Sequence, residues 1–197
     1  MRGKWWSTIL LLTLAAGCAH QAAAPSAIPQ AEYALVKEQG ALVVSIKPCY
    51  TSAECGKPFS FDPAKLGLLP VGLSVENRGD KPYIFSKTYA VILTSDGRRV
   101  APLYFDQILL FTQELSKEGK VSQWKRLLGR NDEAQAIVSE VRRVEFPNAM
   151  ILREQRFAGF LFFPGTKGKD TDRGGVLRIL FRSPSSEEIV TFEFSLP

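Results

Sequence analysis

The sequence predicts a mainly β protein: an antiparallel β-sandwich interrupted by a helical insertion of two or three helices at about residues 104–148. Three features of the sequence indicate this class. Short stretches of alternating apolar and polar residues recur along the chain, turn-forming residues stand between them, and one long internal segment changes to helical spacing. About seven strands joined by turns are typical of a sandwich.

The first strands are predicted by a period of two. Val71, Leu73 and Val75 alternate with small or polar residues, which is the pattern of a half-buried strand. Dense turn formers at 77–82 and 95–97 separate the next stretches and indicate two antiparallel connections. The strands predicted here cover residues 42–46, 71–76, 83–85, 91–94 and the position of Val100.

Three more strands are predicted near the end of the chain. They cover residues 157–163, 176–181 and 189–194, and turn formers at 183–186 join the last two. The insertion that precedes them carries apolar residues at helical spacing, and a structureless loop of that length would be unusual. Its three apolar stripes are Ile108, Phe111 and Leu115; Trp124, Leu127 and Leu128; and Ile137, Val141 and Val144.

One part of the insertion has more apolar side chains than a single helix stripe can hold. Ile108, Leu109, Leu110 and Phe111 are consecutive, and a helix cannot turn all four onto one narrow face. Some must meet a second surface, which is either the sandwich itself or a partner protein. These four residues are therefore the candidate partner-binding residues.

The chain begins with the anatomy of an export signal. Arg2 and Lys4 precede an apolar run of about a dozen residues, which is too short to span a bilayer. The run ends in Leu14-Ala15-Ala16-Gly17-Cys18, which resembles the lipobox of bacterial lipoproteins. The resemblance implies that residues 1–17 are removed and that Cys18 carries the lipid, including palmitate. Ala19 after this cysteine implies sorting to the outer membrane, on its periplasmic face, rather than to the inner membrane.

The remaining chain divides into a tether and a folded part. Residues 18–32 are mostly Ala, Pro, Gln and Ser, too poor in large apolar groups to offset the entropy of ordering, so we expect a flexible tether before a domain at 33–197. Cys49 and Cys55 then lie in an oxidising space, where a disulfide between them is expected. A redox role is less expected because their spacing is not Cys-x-x-Cys.

Charge and histidine content exclude several functions. The signal carries two of the 25 basic residues and no acid, so the mature balance is 23 − 20 = +3, too small to indicate nucleic acid as a partner. The only histidine is His20, in the tether. Serine and cysteine hydrolases that depend on histidine, and the common zinc sites, are therefore excluded. We expect no catalytic residues, no metal and no cofactor.

Several local motifs imitate functional sites. Ser122-Gln123-Trp124-Lys125 has Ser-x-x-Lys spacing but lacks the other motifs of penicillin-binding enzymes. The segment 170–175 begins like a calcium loop, yet position five is Gly174 and position twelve is Phe181. Residues 165–170 have glycine spacing too short for a phosphate loop. We expect these three segments to be ordinary helix or loop.

Two other patterns have a stronger structural than functional interpretation. Arg78-Gly79-Asp80 is the tripeptide of some integrin-binding domains, but a turn explains these residues better, with Gly79 at a positive φ and Asp80 as a turn former. The adjacent acids Asp132-Glu133 and Glu187-Glu188 could serve a glycosidase only if they faced each other across a cleft, and neighbours on a strand point apart.

The sandwich has a resemblance of its own. Leu-Pro-Val-Gly-Leu-Ser-Val-Glu-Asn at 69–77, Gly-Asp-Lys-Pro at 79–82 and Gly-Phe-Leu-Phe-Phe-Pro at 159–164 resemble bacterial lipoproteins with an immunoglobulin-like sandwich. This implies a non-enzymatic binding or assembly module of the cell envelope, whose partner is another envelope protein or the cell wall. An envelope hydrolase using carboxylates, a host-facing adhesin and a transport accessory remain alternatives.

Overall fold

The computed structural model of this 197-residue chain describes residues 32–55, 58–117, 131–165 and 173–197. Its strands are β1 (Leu35–Gln39), β2 (Leu42–Pro48), β3 (Leu68–Asn77), β4 (Tyr83–Phe85), β5 (Ala90–Leu93), β6 (Arg99–Val100), β7 (Ala149–Ile151), β8 (Arg156–Pro164), β9 (Val176–Arg182) and β10 (Ile189–Ser195). Its α-helices are α1 (Ser52–Cys55), α2 (Phe105–Lys117) and α3 (Asn131–Val144), with 3-10 turns at Ala64–Leu66 and Lys87–Tyr89.

The strands form two sheets, and every pair of these strands is antiparallel. Sheet A has the order β1-β2-β3-β8. In sheet B, β10 pairs with one edge of β9. On the other edge of β9, β5 pairs with residues 176–179 and β4 pairs with Arg182. Beyond them, β6 pairs with β5 and β7 pairs with β4. The predicted mainly β, antiparallel class is confirmed.

The two sheets face each other across one apolar core. Alternate residues of β2, β3 and β8 in sheet A, and of β9 and β10 in sheet B, are almost fully buried in a single cluster. The members from β2 are Leu42, Val44 and Ile46, and those from β9 are Leu177, Ile179 and Phe181. This shared core agrees with a β-sandwich, and the immunoglobulin-like type remains an inference from resemblance.

A second apolar cluster, called the helix-side cluster below, fixes the helices to the other face of sheet A. Phe160 and Phe162 of β8 contribute from the sheet, and Ile108 contributes from α2. From α3 come Ile137, Val141 and Val144, which were predicted as one stripe and are all buried. Both helices lie within the predicted insertion. The molecule is therefore layered in the order sheet B, sheet A, helices.

The chain leaving α3 crosses β8 at very close range. Glu145 bridges to Phe160, and the Phe146 amide donates to the Phe160 carbonyl at 2.8 Å. A Cβ on Gly159 would lie 2.8 Å from the Phe146 backbone and 2.9 Å from the Val144 carbonyl oxygen. Glycine is required at this position because a side chain would meet backbone that cannot move aside.

The tether joins the folded part at one end of the strands. Glu32 forms an ion pair with Lys47 at 2.8 Å, and Tyr33 is buried in the helix-side cluster. Asn77, the last residue of β3, marks the opposite end, which we call the distal end. The register places Lys47 opposite Gly72, so five steps along β3, about 17 Å, separate the attachment of the tether from Asn77. Anything at the distal end is therefore held away from the point where the tether attaches.

Candidate interaction surface

The predicted partner-binding residues divide between the core and the surface. Ile108 is 0% exposed in the helix-side cluster, and Leu109 and Phe111 pack partly against the same cluster. Leu110 alone points outward, with 63% of its surface exposed. The structure thus places three of the four against the sandwich, which explains most of the apolar surplus by packing.

A different apolar surface lies on the outer face of sheet B. The register pairs Ile84 with Met150 and with Arg182, and it pairs Arg182 with Ile189. Residues directly opposite in a sheet point to the same face, so these four side chains form one row across β7, β4, β9 and β10. We call Met150, Ile84, Arg182 and Ile189 the distal row.

The distal row carries exposed apolar side chains. Met150 is 49% exposed and Ile189 is 58% exposed, while Leu152, two residues beyond Met150, is 46% exposed. Among the described residues, only Val36 and Leu110 are further large apolar side chains with comparable exposure. These two lie on different elements, whereas Met150, Leu152 and Ile189 gather at one end of one sheet. Such grouping marks an interaction surface more strongly than single exposed residues do.

The row lies at the distal end of the molecule. The Asn77 side chain donates to the Lys81 carbonyl at 2.8 Å and to the Ile151 carbonyl at 3.1 Å, which ties the end of β3 to the strand that carries Met150. Lys81 in turn binds Glu188 at 3.0 Å, next to Ile189. The tether and the distal row are therefore at opposite ends of the strands.

The charges around the row are mostly neutralised in pairs. On the same outer face, Arg178 binds Glu193, with Nε and Oε1 2.7 Å apart. Arg182 is exposed and has no acidic partner among the described residues. The row is thus an apolar strip that contains one uncompensated cation.

The turn at 78–82 does not present a free adhesive tripeptide. Arg78 is 3.0 Å from Glu76 and 3.5 Å from Glu38, and Asp80 is 2.8 Å from Arg153. The expected positive φ at Gly79 is wrong. Glycine is needed there because a Cβ would lie 2.5 Å from the Ala41 Cβ. The residues of this tripeptide are thus explained by contacts within the fold.

The expected disulfide is not supported by the structure. Cys49 and Cys55 are free thiols, both buried in the helix-side cluster. The Cys49 sulfur is 3.7 Å from the Lys47 carbonyl oxygen, and a hydrogen bond with Cys49, together with burial, raises the pKa of the Cys55 thiol far above its ordinary value. As thiols the two side chains have polar partners, and a raised pKa opposes the thiolate that redox and metal chemistry require.

In the part of the chain that the structure describes, the most buried charges belong to a pair that the sequence did not indicate. Lys87 and Glu145 come from a 3-10 turn in sheet B and from the residue after α3, and their side chains are 5% and 9% exposed. The Lys87 ammonium also lies 4.7 Å from the centre of the Tyr104 ring. Neither residue is in a local motif, and only the tertiary fold brings them together.

The motifs that imitate catalytic sites gain no support. Ser122 and Lys125 lie outside the described residues, as do Cys18, His20 and the first three residues of the calcium-like segment. The side chains of Asp132 and Glu133 are likewise outside them. Within the described ranges no three His, Cys, Asp or Glu side chains are grouped to hold a metal ion, and no described helix is long and apolar enough to cross a membrane.

Comparisons with known proteins give weak similarities only. No protein-family model and no curated protein matches the chain. The candidate lipoprotein ycdA of Bacillus subtilis subsp. subtilis str. 168 aligns with a TM-score of 0.44 at 17% identity, over 81% of this chain and 38% of that one. A Listeria monocytogenes EGD-e protein of unknown function aligns with a TM-score of 0.40 at 12% identity, over 83% of each chain. The chain spans less than two thirds of the Bacillus protein.

Proposed function

We propose that this chain is a lipid-anchored protein of the bacterial cell envelope that acts as a non-enzymatic binding module and contacts another envelope protein through the distal row. The observation that carries this proposal is the position of the row. Met150 and Ile189 are exposed apolar residues at the end of the sandwich opposite the tether, on the sheet face that α2 and α3 do not cover.

The anchor itself is supported by the lipobox that ends at Cys18. A flexible tether of about 14 residues has a typical reach of about 20 Å. Added to about 17 Å along the strands, this allows the distal row to stand roughly 40 Å from the bilayer. The row is therefore suited to a partner in the periplasm rather than to the membrane that holds the anchor.

Binding is favoured over catalysis by the state of the charged groups. Around the distal row, Lys81, Arg178 and Arg153 each have an acidic partner, so these acids are engaged in ion pairs. A catalytic site needs titratable groups that converge on a cleft with perturbed pKa values. The exposed row offers contact area and one charge, which is what recognition of a protein surface uses.

The anchor is tested by replacing its acceptor in cells grown with labelled palmitate. The wild-type chain should incorporate the label and fractionate with the outer membrane, and Cys18→Ser should lose the label and remain unprocessed. Cys49→Ser is the control, and it should keep the label. Labelling that survives Cys18→Ser would exclude this anchor, and wild-type protein in the inner membrane would exclude the proposed sorting.

A further inference from the structure

The inference concerns the kind of segment that the distal row receives, and it rests on the proposed function. We infer that the row binds an extended segment of a partner protein in which one carboxylate stands between two apolar side chains. Arg182 selects the carboxylate, and Met150, Ile84 and Ile189 receive the apolar groups.

The row has the dimensions of a short peptide. Neighbouring strands are about 4.8 Å apart, so the four side chains extend over about 14 Å from Met150 to Ile189. An extended segment crossing the strands presents side chains on one face about every 7 Å. Three such side chains therefore cover the row, with the middle one between Ile84 and Arg182.

The positive charge of Arg182 determines which side chain the bound segment carries in the middle. Arg182 stands between Ile84 and Ile189 in the register and has no acidic partner among the described residues. A guanidinium beside apolar groups is matched by a carboxylate, which accepts two parallel hydrogen bonds from it. Arg178, its neighbour along β9, already binds Glu193 at 2.7 Å and has less capacity for a second acid.

A lipid headgroup also offers an anion, but it fits the surroundings less well. Binding to an anionic membrane draws on several unpaired cations. Near the row Lys81 is paired with Glu188 and Arg153 with Asp80, so among the described residues there Arg182 is the one cation without an acidic partner. A protein segment needs only that one charge.

The test uses two capped, dye-labelled heptapeptides of serine that carry leucine at the second and sixth positions. One has glutamate at the fourth position and its twin has glutamine. The full-length lipidated protein in detergent is titrated into each peptide, and binding is followed by fluorescence anisotropy. The glutamate peptide should bind about tenfold more tightly, since a hydrogen bond to a charged group contributes about 1.5 kcal/mol or more.

Variants separate the role of the charge from that of the apolar groups. Arg182→Gln should remove the preference for glutamate, while the control Arg143→Gln, an exposed cation on α3, should leave it unchanged. Ile189→Ser should weaken the binding of both peptides. Because the lipid anchor inserts into any bilayer, vesicles of phosphatidylglycerol and of phosphatidylcholine are compared without detergent, and Arg182→Gln should leave the ratio of binding to the two unchanged.

Three failures of this test have different meanings. If wild type binds both peptides with equal affinity and Ile189→Ser weakens that binding, the preference for a carboxylate is overturned and the distal row stays a contact surface. Failure of both peptides to bind, or binding that ignores Ile189→Ser, overturns the inference and removes the support for the proposed function. A preference for phosphatidylglycerol vesicles that depends on Arg182, without peptide binding, overturns the inference in favour of a membrane.

Discussion

Lys87 and Glu145 form a buried ion pair, with Nζ and Oε1 2.5 Å apart, that joins sheet B to the chain leaving α3. The Lys87 amide also donates to the Asn148 side chain at 2.8 Å. The 3-10 turn that begins at Lys87 is therefore bound to residues 145–148 by an ion pair and by a hydrogen bond. Glu145 lies beside the crossing at Gly159. The pair therefore helps to fix the helical layer relative to both sheets.

The first prediction concerns the loss of one member of this pair. Glu145→Gln should lower the free energy of unfolding by about 3–5 kcal/mol, because it leaves a buried ammonium without a counter-charge. Lys65→Met is the control, since Lys65 is 64% exposed and 3.6 Å from Asp62, and it should cost less than about 1 kcal/mol. Urea unfolding measures both. Equal costs would show that the buried pair does not stabilise the fold.

The second prediction separates two neighbours on α2. Ile108→Asp should greatly lower the melting temperature, because Ile108 is 0% exposed and a carboxylate placed in its apolar cluster would lose its hydration. Leu110→Asp should change the free energy of unfolding by about 0.5 kcal/mol or less, because Leu110 is 63% exposed. Thermal unfolding of both variants tests this. A larger loss for Leu110→Asp would mean that α2 is rotated from the orientation described.

The third prediction concerns the crossing at β8. Gly159→Ala should destabilise the protein by about 1–3 kcal/mol, because the new Cβ meets backbone at 2.8 Å. Gly40→Ala is a useful comparison, since Gly40 has φ +60° but open space around it, and its cost of about 1 kcal/mol would come from the backbone alone. Urea unfolding should show a larger loss of unfolding free energy for Gly159→Ala than for Gly40→Ala. The reverse order would contradict the close approach of residues 144–146.

The fourth prediction is a pH dependence caused by Cys55, measured under reducing conditions. The folded pKa of this thiol is raised, so above the unfolded value of about 8.5 the unfolded state releases a proton that the folded state retains. Stability is full below about pH 8.5 and falls by up to about 1.4 kcal/mol per pH unit above it.

Cys55→Ala removes this thiol and provides the matched comparison. Between about pH 8.5 and 10 the variant should lose less stability than wild type. Above that range Tyr83, whose pKa is also raised by burial, adds the same loss of stability to both proteins. Parallel stability curves for the two proteins would show that Cys55 is not the cause.

The alternation of apolar and polar residues was sufficient to predict the strands that are half buried. In β2, β9 and β10 buried apolar residues alternate with more exposed residues, because only one face of each strand packs into the core between the sheets. β1 was missed since four of its five residues are exposed at the edge of sheet A, where no burial imposes a pattern. β7 was missed because three residues are too few to show a period, whereas the equally short β4 was predicted from the turn formers at 77–82 that precede it.

The candidate surface was harder to predict than the fold. Adjacent apolar residues in a strand must face opposite sides, so Ile189 beside Val190, and Met150 and Leu152 around Ile151, were signals of an exposed apolar face. Only the register, however, shows that Met150 and Ile189 share a row with Arg182. The Lys87–Glu145 pair had no local signal, because it depends on contacts between distant parts of the chain.

The most direct test of the proposed function is photo-crosslinking in living cells of the native host. A photoreactive amino acid is placed at Ile189 in one strain and at Leu110 in another, since both sites are exposed and lie in different layers. The distal row predicts a discrete protein adduct from Ile189 that disappears when Met150→Asp is added, and no adduct from Leu110. An adduct from Leu110 with none from Ile189 would contradict the proposal and return the contact surface to the helical insertion.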